Sequence, residues 1–165
     1  MDNASACFVQ GTDARMSSQV VVEADLPRIE VQTPADGLMV VRLRHGFRDQ
    51  DLAPYFQRTS EVATSGLYAA MVVCDRRMPL VTPTQAARQA AWIRDHYDFI
   101  QRNCGGVALV LPNAFVRGAV RAVLSMAPMP CEIRDFKDEH EAMQWTVRAL
   151  AGKRAAVHGP SWRKD

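Results

Sequence analysis

A chain of 165 residues suits one domain with short extensions, and a domain of that size buries enough apolar surface to fold without covalent staples. Hydrophobic residues make up 48% and charged residues 23%, and a net charge of +2 is too small to draw nucleic acid or a membrane surface by bulk electrostatics. No apolar run reaches the roughly eighteen residues of a membrane span, and the N-terminus lacks a signal-peptide core, so a cytoplasmic protein is expected.

Residues 1–24 mix Asn, Ser, Gly, Gln and Asp without period and read as a flexible N-terminal extension, with Val20–Val22 as a candidate short strand. From Arg28, "RIEVQ" alternates apolar and polar residues as a half-buried strand does. "PADG" is a turn, and "LMVVRLR" is a second strand, so the pair predicts an antiparallel hairpin. In "FRDQDLAPYFQRTSEVATSG", Leu52, Tyr55, Phe56, Val62 and Ala63 fall at helical spacing, with Asp49 or Asp51 as cap, Pro54 near the first turn and Gly66 as the stop.

"LYAAMVVCD" carries no charge before Asp75, as a strand covered on both faces requires. "TPTQAARQAAWIRDHYDFIQRNCGG" predicts one long helix with a Thr cap, Pro at the first position and Gly-Gly at the end. Its stripe is Ala86, Ala90, Ile93, Tyr97 and Ile100. "GVALVLP" is a buried strand, and Asn113 caps a helix with apolar rows Phe115, Ala119, Val123 and Val116, Val120, Leu124. "CEIRDF" is the last strand. "KDEHEAMQWTVRAL" follows, with Asp138 and Glu141 at capping-box spacing and a buried row of Met143, Val147 and Leu150. Residues 152–165 read as a basic, Gly- and Pro-broken tail, which bounds the domain at 25–151. The order β-β-α-β-α-β-α-β-α predicts an α/β domain with a mixed, mostly parallel sheet packed by helices.

Cys7, Cys74, Cys104 and Cys131 are far apart and form no CxxC pair. Zinc and thioredoxin-like chemistry therefore lack a signature, and the expectation is reduced thiols, with Cys74 and Cys131 packed as small hydrophobes. His45, His96, His140 and His158 stand in no nucleophile–base motif, and "HG" and "LPNAFVRG" match neither phosphate-loop fingerprint. No catalytic residue, metal site or cofactor is expected.

The element order, with "GVALVLPNAFVRGAVRAVL", "CEIRDFKDEHEAMQWTVRAL" and its Ala142-x-x-Trp145 pattern, resembles the STAS domain in its SpoIIAA-like branch, over roughly residues 28–150. The resemblance implies a non-enzymatic, bacterial-type regulatory domain that acts in signalling by binding a protein partner, with a homodimer among the possible arrangements. The best-known members, the anti-sigma-factor antagonists, carry an Asp-Ser-Ser-Gly-like turn after the third strand, where a hydroxyl is phosphorylated. Here that place holds "DRRMPLVTPT". Asp75 is present but no Ser-Gly follows, and Thr82, then Thr84, supply the candidate switch hydroxyl. "TSGL" at 64–67 resembles the switch tetrapeptide but precedes the central strand, so its position excludes it.

Two further readings come from the residues themselves. In an open α/β sheet, ligands bind at the strand-end loops. His45, Asp75, Arg76, Arg77, Asn113 and Arg117 are the candidates there, for an anion or an apolar small molecule. Met126 and Met129, in the apolar connection "SMAPMPC", form a candidate partner surface if exposed and mere edge packing if folded back.

Overall fold

The computed structural model describes residues 27–77 and 81–159; the expected N-terminal extension with Val20–Val22 lies outside them. Strands β1 (Ile29–Ala35) and β2 (Leu38–Leu43) form the predicted antiparallel hairpin. Its turn needs glycine: Gly37 has φ 72°, and a Cβ there would fall 2.6 Å from the Leu67 carbonyl oxygen. Helix α1 (Asp49–Ser65) follows, and the Asp51 carboxylate accepts the Arg48 N–H at 2.7 Å. Pro54 is the sixth residue of that helix, one turn further in than its tolerance at a helix start would place it.

Strand β3 (Tyr68–Cys74) leads to α2 (Pro83–Asp95), α3 (Tyr97–Asn103), β4 (Cys104–Val110), α4 (Ala114–Met126), β5 (Ile133–Phe136) and α5 (Glu139–His158). The sheet order is β1-β2-β3-β4-β5, parallel except for the hairpin. This is the predicted mixed sheet with one helix more. The expected long second helix breaks at His96, whose ring turns back so that Nδ1 lies 2.9 Å from the Trp92 carbonyl and Nε2 3.0 Å from Ser60 Oγ. Gly105 and Gly106, read as that helix's end, belong to β4 instead. The last helix runs on to His158, past the expected break after Ala151. No helix among the described residues is long and apolar enough to cross a membrane.

The topology decides which faces are covered. Each parallel crossover joins neighbouring strands and moves the same way across the sheet. Right-handed connections therefore bring α1 through α4 onto one face. Their buried side chains share one core with Val41, Ala70 and Leu109 of the sheet. The other face has a smaller core of Val40, Met71, Ala108 and Val110, closed by Ala142 and Trp145 of α5.

The two coverings differ in depth. Helix α5 lies close along β3 and β4, and a Cβ on Gly105 would fall 2.5 Å from the Ala149 carbonyl oxygen. Helices α2 and α4 instead approach each other more closely than either approaches the sheet. That lean leaves Phe115, expected in a buried row of α4, 61% exposed. Val147, expected in the buried row of α5, is 46% exposed because that helix buries only the narrow stripe of Ala142, Trp145, Thr146 and Leu150.

Candidate functional site

The stand-off of α2 and α4 leaves a partly open cavity of about 170 Å³ between the sheet and α1, α2 and α4. Its floor is Val41, Ala70 and Leu109; its walls include Leu52 and Tyr55 of α1, Trp92 and Ile93 of α2, and Val120 and Leu124 of α4. The small side chain of Ala70 at the centre of the floor helps to keep the space open.

The polar groups that reach the cavity are neutral and largely occupied. The Thr59 hydroxyl donates to the Tyr55 carbonyl at 2.7 Å. The Gln85 amide donates to Asp49 at 2.9 Å and accepts from the Thr82 N–H at 3.0 Å. Burial among apolar side chains pushes the Tyr55 phenol up to about 12, against the opposing effect of its hydrogen bond with Gln89. Burial likewise pushes the Cys74 thiol, which also lines the cavity, up to about 12. Both groups therefore stay protonated and uncharged at neutral pH. No charged side chain lines the cavity among the described residues, which suits a neutral apolar occupant and not an ion.

The strand-end surface lies at the opposite chemical extreme. Asp75, Arg76, Asn113 and Arg117 line one groove of about 850 Å³ with Arg42, Arg44, Lys137, Asp138 and Glu139. His45, Arg77 and Thr82 are not among the described residues lining it. Much of its positive charge is already met by carboxylates. Arg42 pairs with Glu139 at 2.8 Å, Arg44 with Glu30 at 3.1 Å, and Arg117 approaches Asp135 at 3.7 Å. Asp75 accepts the Arg77 N–H at 2.9 Å and so shapes its own turn. The Asn113 side chain caps α4 by accepting the Val116 N–H at 2.9 Å. The exposed His45 offers its carbonyl to Arg28 at 3.0 Å.

Thr82 is the N-cap of α2, as its place before Pro83 predicts. Its hydroxyl oxygen accepts the Gln85 N–H at 3.1 Å while Gln85 accepts the Thr82 N–H, a reciprocal capping box. That cap is worth about 1 kcal/mol. Thr84 is exposed in the first turn of the same helix. Residues 78–80 of the preceding loop lie outside the described residues. The methionine pair separates: Met126 is 46% exposed at the end of α4, whereas Met129 folds back against the core and lines the cavity.

Two arrangements have no signal in the sequence. Ser60 Oγ lies 3.0 Å from His96 Nε2 and accepts the Trp92 indole N–H at 3.0 Å, while the indole stacks on His96 at 4.5 Å. This resembles a nucleophile beside its base. Yet Ser60 sits mid-helix, where the neighbouring backbone N–H groups are committed to the helix and none is free to steady an oxyanion. The contact ties α1 to the α2–α3 junction. The second arrangement brings Cys104, at the start of β4, into the same core cluster as Cys131, just before β5, at a register irregularity between β3 and β4.

No family model and no curated protein matches the chain at the sequence level. Among solved structures, it is similar to an uncharacterised protein of the DUF3478 family with a SpoIIAA-like fold from Shewanella loihica PV-4. The two share 14% identity over 72% of this chain and 91% of that one, with a TM-score of 0.51. The likeness shows the fold: this chain has a SpoIIAA-like α/β fold, as its element order implies.

Proposed function

We propose that this SpoIIAA-like domain is a non-enzymatic binding module that holds a small, neutral, apolar molecule between its sheet and helices α1, α2 and α4. The observation that carries this reading is the uncharged cavity of about 170 Å³. An apolar cavity of roughly 150 Å³ is enough to hold benzene. Apolar surface that a bound molecule buries there contributes about 25 cal/mol per Å². An anion in the strand-end groove is less well supported, because Arg42, Arg44 and Arg117 already face carboxylates.

Thermal unfolding in the presence of toluene, indole and octanol tests the reading. A ligand at ten times its Kd is expected to raise Tm by about 3–6 °C, and the shift should follow a saturation curve. The absence of a saturable shift across the three compounds would overturn the assignment.

A regulatory protein partner is the second reading, favoured by the outward apolar side chains Phe115 and Met126 on α4. Modulation at Thr82 belongs to this reading. Affinity capture from native lysate, comparing wild type, Phe115→Asp and Thr82→Glu, separates its parts. A partner lost with Phe115→Asp supports the α4 surface, and one lost or gained with Thr82→Glu supports the switch. A capture profile identical in all three removes both.

A further inference from the structure

We propose that Cys104 and Cys131 are a redox pair that closes into a reversible intramolecular disulfide on exposure to a peroxide. The geometry begins with the start of β4. Tyr68 pairs with Cys104 but Ala70 pairs with Val107, so β4 takes three steps where β3 takes two. Such a bulge changes the side to which the strand's side chains point. Val107, beyond the bulge, faces the helix-covered core, and the extra residue brings Cys104 to that same core.

Cys131 arrives there from the other direction. It lies two residues before Ile133, which opens β5 opposite Val107, and the Val107 N–H donates to the Glu132 carbonyl at 2.9 Å. That hydrogen bond fixes the entry to β5 alongside the first turns of β4. Cys131 packs against the same core cluster, which places its thiol beside that of Cys104, whose S–H donates to the Gly106 carbonyl at 3.6 Å. Cys74 is set apart at the opposite end of β3, paired with Leu43.

The two sulfurs differ in ways that suit a sequential reaction. The Cys131 thiol first, then the Gly106 backbone, Tyr68 and the nearby charge of Lys153, hold the Cys104 thiol below its ordinary range against the opposing effect of burial, while the same neighbour and burial push the Cys131 thiol up. Cys104 is 3% exposed, whereas Cys131 is only half-buried and gives a small oxidant its approach. The Cys104 thiolate attacks one peroxide oxygen, the O–O bond breaks, and the departing hydroxide takes up a proton to become water. Cys131 sulfur then attacks the resulting Cys104 sulfenic acid. The S–O bond breaks, the S–S bond forms, and a second water leaves with the Cys131 proton. Two thiols and one hydrogen peroxide thus give one disulfide and two waters. A thiol reductant reverses the link.

The full chain, treated with hydrogen peroxide, alkylated and digested without reductant, tests this directly by peptide mass mapping. A Cys7→Ser variant run in parallel excludes links through that residue. The expected result is a linked Cys104–Cys131 peptide pair, released by dithiothreitol, with an intact-mass loss of about 2 Da. The oxidised form should also melt about 5–10 °C higher, because the link closes a long loop. Alkylation of both thiols after peroxide, oxygenation without linkage, or links only through Cys7, Cys74 or a second chain would each overturn the proposal.

Discussion

Replacing Trp145 with alanine is expected to destabilise the domain by about 3–5 kcal/mol, the range for removing a large buried aromatic. The side chain is 6% exposed and closes the smaller core. Its ring packs at 5.8 Å on Phe136 and lies under the Arg134 guanidinium at 5.5 Å. It also fills the space above Gly106, where a Cβ would meet the ring at 2.6 Å. Among the described residues, α5 is the one helix that packs on this core, so the void is expected to stay open. Against a total stability of about 5–15 kcal/mol, the variant would stand near the edge of folding. Urea unfolding followed by circular dichroism measures the change, and Trp145→Phe should recover much of the lost stability. A cost below about 1 kcal/mol for Trp145→Ala would mean that α5 is not a necessary cover.

Ala70→Leu is expected to act in the opposite sense. Ala70 lies on the cavity floor in β3, beside a cavity of about 170 Å³ that three more carbons would partly fill. Burying them contributes about 1–2 kcal/mol, at roughly 0.8 kcal/mol per methylene less the entropy of ordering the side chain. The same substitution occupies the space a ligand would use. A higher Tm together with loss of the saturable toluene shift is the expected pair of results. A variant that gains stability yet keeps that shift would place the ligand elsewhere.

The architecture was largely legible in the sequence, because each element carried two agreeing signals. The "LYAAMVVCD" run, free of charge before Asp75, the Thr82-Pro83 helix start and the acidic start of α5 all stand where pattern and capping place them. The errors share a cause: local pattern does not report what lies across the gap. Gly105-Gly106 resembles a helix stop, but these glycines sit in a strand so that α5 can come close. Phe115 has helical spacing for burial, yet α4 leans toward α2 and turns it outward.

The candidate site was less legible still. Asp75, Arg76, Asn113 and Arg117 do converge, as strand-end logic predicts. The cavity, however, depends on how far two helices stand from a sheet, and no residue spacing encodes that distance. The cysteine pair was hidden for a related reason. Residues far apart in the chain met only through a register irregularity in β4.

The one-sided crossovers also bear on how the chain is made. Helices α1 to α4 can dock on their face of the sheet as synthesis proceeds, each soon after its strand. Among the described residues, the cover of the opposite face comes from α5, the last of the described elements to leave the ribosome. Arg154 of that helix then reaches back to the β1–β2 turn, donating to the Asp36 carbonyl at 3.1 Å across a sequence separation of 118 residues. Contacts of such long range close late in folding. Until they close, Val40, Met71 and Val110 form an open apolar strip on the nascent chain, a natural footing for a chaperone and the first place for aggregation to begin.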